Sequence, residues 1–117
     1  MTPFGLKVRE LRSAKGVTLK DMALALEVSS AYLSALEHGR RGRPNRYQVQ
    51  RICEYFNIIW DDAEELERLA TLSHPRVTVD TAGLGAGATE LANRLAQMIR
   101  KLSPEKIERL LAELREG

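Results

Sequence analysis

The sequence predicts an all-α protein. Five short helices share one small core, a linker with one short strand follows, and a helical hairpin ends the chain. Three observations carry this reading. Apolar residues recur at three- and four-residue spacing, in segments bounded by helix caps and stops. Each such segment is too short to be a stable helix alone, so the helices must pack together. Period-two alternation appears at Arg76-Val77-Thr78-Val79-Asp80, which is the length of one short strand.

In the first helix, Phe4, Val8 and Leu11 fall at helical spacing, and Lys15-Gly16 supplies a terminal cation and a glycine stop. Thr18 caps the second, with Asp21 three residues on, and its inward face is Leu19, Met22, Ala23 and Leu26. Ser29 starts the third, which turns Leu33 and Leu36 inward and closes at Gly39. Pro44-Asn45 starts the fourth, with Asn45 as cap, Gln48 at the third position, and a stripe of Val49, Ile52, Cys53 and Phe56. The fifth begins at Trp60-Asp61-Asp62-Ala63-Glu64, with an acid as cap, and presents Leu66, Leu69 and Leu72. Residues 1–74 therefore form the first unit.

Residues 75–88 read as a linker, with the strand first and then a loose hinge at Gly83, Gly85 and Gly87. From Thr89 the helical period returns with Leu91, Leu95, Met98, Ile99 and Leu102. Ser103-Pro104-Glu105 restarts it, with a capping serine, proline at the first helical position and an early acid. Ile107, Leu110, Leu111 and Leu114 follow. Residues 89–117 thus make a hairpin whose apolar face has little of its own to cover it.

Composition narrows the class. Of the 117 residues, 44% are hydrophobic and 29% charged, ordinary values for a globular protein. No apolar run approaches the length of a membrane span, and the N-terminus has no apolar stretch of signal-peptide length. The single cysteine, Cys53, lies beside Ile52 in an apolar pattern, so it reads as core. These features fit a reducing cytoplasm. Net charge is only +2, but its distribution is uneven. Residues 1–53 hold ten Lys/Arg and four Asp/Glu, while residues 54–117 hold eight and twelve. A basic first half suggests an anionic partner.

The charge concentrates in "EHGRRGRPNR", residues 37–46, where Arg40, Arg41, Arg43 and Arg46 have no acid after them until Glu54. Alone, such a run is most often a solvated face. Here it follows two helices joined only by Glu27-Val28. Short helices on so tight a turn form a helix-turn-helix, with small Ala23 at the crossing and Val28 and Leu33 closing the corner. The third helix presents Ser30, Ala31, Tyr32, Ser34 and Ala35 outward.

"VTLKDMALALEVSSAYLSALEHGRRGRP" resembles the Cro/C1-type helix-turn-helix of phage repressors and XRE-family regulators. The matching elements are Gly16, Thr18, Ala23, Val28-Ser29, Leu33-Ser34, Leu36-Glu37 and Gly39, within roughly residues 3–72. The resemblance implies a five-helix, lambda-repressor-like domain that binds double-stranded DNA. It places residues 29–38 in the major groove and assigns base contacts to Ser30, Ala31, Tyr32 and Ser34. It puts phosphate contacts at Thr18, Lys20 and Ser29, and in the arginine loop 40–46, at Arg40, Arg41, Arg43, Asn45 and Arg46. It also implies a structural salt bridge between Arg12 and Glu37. Two positions depart from the family. Leu19 stands where glutamine often touches phosphate, and Glu27 stands where the turn often has glycine. A left-handed backbone at Glu27 would cost roughly 1–2 kcal/mol.

Physical chemistry agrees with that assignment. Arginine forks match phosphate oxygens, and backbone charge dominates protein–DNA affinity. Ser30 and Ser34 can bond base edges, and Ala31 can meet a thymine methyl. No Arg, Gln or Asn lies on this face for a bidentate base contact, so much of the specificity must come from DNA shape, water or the arginines.

Other motifs carry less. "GLGAGA", residues 83–88, has the outline of a dinucleotide fingerprint, but no second parallel strand follows to complete a βαβ unit. His38 and His74 lack neighbours at zinc spacing, and the acids from Asp61 to Glu67 lack calcium-loop spacing. Tyr47 reads as core or rim, and Arg51 as a balance for Glu54. No cofactor or metal is expected, and no catalytic constellation assembles, so the chain is not expected to be an enzyme. The expected function is a cytoplasmic transcriptional regulator, a repressor, acting as a homodimer with no membrane association. Val77 and Val79 in the strand and the hairpin face (Leu91, Leu95, Met98, Ile99, Leu102, Ile107, Leu110, Leu111, Leu114) are the candidate dimer contacts. The alternative is an antitoxin that binds its own promoter and a toxin or other protein partner.

Overall fold

The computed structural model describes residues 1–40 and 42–117. Seven α-helices make up the described chain: α1 (Pro3–Lys15), α2 (Leu19–Leu26), α3 (Ser30–His38), α4 (Arg46–Phe56), α5 (Trp60–Thr71), α6 (Ala86–Met98) and α7 (Pro104–Glu116). A 3-10 turn, Ile99–Lys101, follows α6. The architecture is all-α and divides into two units, Met1–Val77 and Thr78–Gly117.

In the first unit local chemistry starts and stops each helix. Thr18 and Asp21 form a reciprocal capping box on α2, and Asn45 and Gln48 form another on α4. Ser29 caps α3 through its hydroxyl. Left-handed residues end four helices: Gly16, Glu27, Gly39 and Asn57. One apolar stripe from each helix then meets the others. Phe4 and Val8, Met22 and Ala23, Leu33 and Leu36, Val49 and Ile52, and Leu66 and Ala70 are all buried in one cluster. Each large side chain removed from water contributes about 1.5–3 kcal/mol. α2 packs on α3, α4 on α5, and α1 on both α3 and α5. Cys53 belongs to this core, and burial raises its thiol pKa, helped by Glu67 and Glu54.

Polar ties join the chain start to distant helix ends. The Thr2 hydroxyl donates to the Glu37 carbonyl at 2.9 Å and also accepts the Gly5 N–H at 3.1 Å. Here α1 crosses the end of α3 so closely that a Cβ on Gly5 would lie 2.0 Å from that carbonyl oxygen. Only glycine fits. The Phe4 N–H donates to buried Ser73, whose hydroxyl donates in turn to the Leu69 carbonyl.

Several expectations need correction. Residues 76–80 form no strand, and among the described residues no second strand is present to complete a ladder. α5 has no acidic cap: its cap is Ile59, without a side-chain bond. Trp60 is left-handed, with φ +57°, and Asp61 and Asp62 stand in the first turn, where they complement the helix dipole instead. Trp60 itself is 81% exposed. Leu72 ends the helix facing solvent, and Tyr47, read as core or rim, is 67% exposed, which rules out the core alone. Gly87 lies inside α6, which starts at Ala86 rather than Thr89, so the glycine hinge is shorter than its composition suggests.

In the second unit α6 is capped by Gly85 without a side-chain bond, and α7 by the Ser103 hydroxyl, which accepts the Lys106 N–H. None of its described residues is buried. Leu102, Ile107 and Leu111 are half-buried, while Leu91, Leu95, Met98, Ile99, Leu110 and Leu114 remain exposed, as do Val77 at the end of the first unit and Val79.

Candidate nucleic-acid interface

The candidate interface is built on α2, the Glu27-Val28 turn and α3. Glu27 adopts φ +58° and ψ +41°, the left-handed conformation the tight turn demands, and its N–H donates back to the carbonyls of Ala23 and Leu24. The Val28 N–H also returns to the Ala23 carbonyl, at 3.0 Å. The turn thus has its glycine geometry without glycine, at a cost of about 1–2 kcal/mol. Buried Ala23 and Leu33 and half-buried Val28 offset that cost by filling the corner.

α3 then leaves the turn with its first residues in solvent. Ser30 and Ala31 are exposed, and Tyr32 and Ser34 are half-buried. Ser34 offers its carbonyl to His38 Nδ1 at 2.9 Å, so that ring nitrogen carries the proton. Ser29 accepts the Tyr32 N–H at 3.0 Å and keeps its own hydroxyl proton to donate.

The candidate phosphate contacts divide by geometry. Thr18 and Lys20 are exposed at the start of α2. The Asp21 carboxylate accepts the Thr18 N–H at 3.0 Å, and this bond, with the Thr18 side chain, lowers the Asp21 pKa. That N–H is therefore occupied, and the Thr18 hydroxyl accepts the Asp21 N–H at 3.0 Å, so Lys20 is the side chain here without such a tie to Asp21. Beyond Gly39 the chain turns sharply, with Gly39 and Gly42 both left-handed and Pro44 buried beneath. Arg40 and Arg43 are exposed, and among the described residues neither meets a carboxylate. Arg41 lies outside the described residues. Arg46 is 86% exposed and lies 3.9 Å from Glu67, a contact worth little at that exposure. Exposed Asn45 caps the helix that Arg46 begins.

Beneath this surface Glu37 is buried at the end of α3, where an acid opposes the helix dipole. Arg12 answers it from α1 with two hydrogen bonds, at 3.0 and 3.3 Å. Two other contacts were not legible from the sequence. Gln48 Nε2 donates to the Tyr32 hydroxyl. Arg51 Nη2 donates to the Leu26 carbonyl at 2.7 Å, so Arg51 braces the end of α2 rather than balancing Glu54.

Among the described residues no group of His, Cys, Asp or Glu could hold a metal ion, and no helix is long and apolar enough to cross a membrane. No solved structure matches the chain significantly. Curated relatives do. The chain is 32% identical over 62 residues to RghRB of Bacillus subtilis (strain 168), named an uncharacterized HTH-type transcriptional regulator. It is 39% identical over 59 residues to the HTH-type transcriptional regulator DdrOP3 of Deinococcus deserti. It is 31% identical over 61 residues to RghR of B. subtilis (strain 168), named an HTH-type transcriptional repressor. These alignments cover 50–53% of this chain and 45% of each relative. A family model described as a helix-turn-helix domain matches residues 3–74, the whole of the five-helix region, and the chain therefore belongs to that helix-turn-helix domain family.

Proposed function

We propose that the protein is a Cro/C1-type (XRE-family) transcriptional repressor that binds double-stranded DNA as a homodimer. The observation that carries this reading is the capped, solvent-facing start of α3, set at a tight turn and followed by exposed Arg40 and Arg43. α3 enters the major groove, where Ser30, Ala31, Tyr32 and Ser34 face base edges. Thr18, Lys20, Ser29, Asn45 and the arginines of residues 40–46 hold phosphates. The name of RghR supports repression as the mode of control. The protein acts in the cytoplasm, where its one thiol stays reduced.

One nine-residue helix reads few base pairs, so two copies are needed for useful specificity. The uncovered apolar face of residues 89–117 supplies the contact, and exposed Val77 and Val79 add to it. Six of that face's apolar side chains are exposed, and at about 60–120 Å² each they give on the order of 500 Å² per copy, the larger part of one side of a specific interface. The second unit also carries equal numbers of acids and bases, so self-association meets no net repulsion. The half-sites then lie about 34 Å apart.

Selection of binding sites from random duplex DNA, at stated salt, tests the whole reading. The expected product is an inverted repeat with one-turn spacing. Enrichment of no sequence, with no salt-dependent binding, would overturn it.

A further inference from the structure

The helix that follows the arginine loop does more than continue the core. Gln48 and Arg51 lie three residues apart, on one face of α4. Gln48 donates to the Tyr32 hydroxyl in the first turn of α3. Arg51 donates to the Leu26 carbonyl, the last of α2. The two bonds fall on opposite sides of the left-handed Glu27 turn. α3 packs chiefly on α1 and α2, and it faces α4 across a cleft of about 240 Å³ lined by Leu26, Val28, Tyr32, Gln48 and Arg51. Buried Leu33, Leu36 and Ile52 line it as well, and the Gln48–Tyr32 bond joins the two helices across it.

We propose that Gln48 and Arg51 are positioning residues that set the angle of the recognition helix from α4. Arg51 holds a carbonyl that the end of α2 leaves without a helical partner, and its positive charge suits that end of the helix dipole. Gln48 is itself fixed. Its side-chain carbonyl accepts the Asn45 N–H at 2.7 Å, and its own N–H donates to the Asn45 side chain at 2.8 Å. Its amide nitrogen is therefore aimed by the capping box at Tyr32. Base contacts at Ser30 and Ala31, two residues and one residue before Tyr32, depend on that aim within fractions of an ångström. An anchored α4 also carries Asn45 and Arg46 at its start, so one rigid element would register the phosphate contacts against the reading helix.

This inference rests on α3 being the recognition helix, and the test separates the two. The probes are a duplex selected by the wild-type protein from a random pool and a scrambled duplex of equal length, each titrated at several salt concentrations. Gln48→Met and Arg51→Met are each expected to lower the selected-to-scrambled affinity ratio roughly tenfold, the size of one lost base contact. The slope of log affinity against log salt stays unchanged, because no phosphate contact is removed. Arg51→Lys recovers part of the ratio, since an ammonium can still donate to the Leu26 carbonyl. Tyr32→Phe keeps the capping box and removes the hydroxyl that Gln48 meets, so in a Tyr32→Phe background Gln48→Met should lower the ratio no further. These two variants decide the matter if Arg51→Met does not fold. Equal losses on both duplexes with a slope smaller by about 0.9 would make Arg51 a phosphate contact and overturn its positioning role. Unchanged ratios, or full additivity of Tyr32→Phe and Gln48→Met, would overturn the role of Gln48. A wild-type protein without salt-dependent DNA binding would remove the functional reading and this inference with it.

Discussion

Arg12 reaches from α1 to close a two-point salt bridge on Glu37, the penultimate residue of α3. The Glu37 side chain is 2% exposed and that of Arg12 12%. A buried ion pair is weak evidence of net stability, but breaking it from one side is expensive. Arg12→Ala is therefore expected to destabilise the first unit by about 3–5 kcal/mol, because Glu37 is left charged and unpaired. Replacing both, as Arg12→Met with Glu37→Leu, should recover most of that loss. Denaturant titration of the two variants checks this. A single variant as stable as the wild type would show that the pair holds nothing together.

Glu27 is the place to gain stability. Its φ of +58° is unfavourable for any side chain with a Cβ. Glu27→Gly relieves that strain, at the price of a looser unfolded chain, and the net gain should be about 0.5–1 kcal/mol. Thermal melting followed by circular dichroism measures it. A lower melting temperature would mean that Glu27 makes a favourable contact outweighing its backbone.

The capping box on α2 leaves a signature in acid. The Thr18 N–H and hydroxyl hold the Asp21 pKa below its ordinary value of 3.8. The folded state thus prefers the carboxylate. The associated stability is fully present above 3.8, and it is lost as pH falls through the lower folded value. Asp21→Asn should flatten the stability–pH curve in that acidic window and leave the curve above pH 5 parallel to the wild type. A curve with unchanged acid slope would count against the box.

Arg40 and Arg43 face solvent with no carboxylate beside them among the described residues. If they grip phosphates, alanine at either position weakens binding to every duplex alike and reduces the salt slope by about 0.9. Filter binding or anisotropy at several salt concentrations reads both quantities. A loss confined to one base identity would instead place that arginine on a base edge.

The hairpin makes its own prediction. The full chain is expected to sediment as a dimer, and a chain ending at Arg76 as a monomer that keeps the helical signal of residues 3–71. An unchanged dimer after truncation would move the dimer contact into the first unit.

Much of the fold is legible in the sequence because its punctuation is local. Thr18 with Asp21, Asn45 with Gln48, and the glycines at 16 and 39 act within one turn, and each does in the structure what its spacing implies. Non-local contacts leave no such trace. Nothing in the sequence marks Ser73 as the partner of Phe4, or Gly5 as the point where α1 crosses α3. The same limit applies to the interface. Exposure of Ser30, Ala31 and Arg43 follows from helix period and loop composition. The donation from Arg51 to Leu26 does not, since it joins residues 25 apart through a side chain that could equally have met Glu54. The start of α5 misled for a related reason. Its spacing places an acid as the cap, yet Ile59 takes that position and left-handed Trp60 faces outward.

That outward turn decides which spectroscopic signals are informative. Trp60 is the chain's one tryptophan, and four-fifths of it already meets water in the native fold. Its emission should therefore sit at red, solvent-like wavelengths before any denaturant is added, and should shift little on unfolding. The indole is a poor witness to the melting of the core but a good one to anything that settles over the start of α5. The complementary witness is Cys53, shut within the core, whose thiol becomes open to labelling only when the helices part.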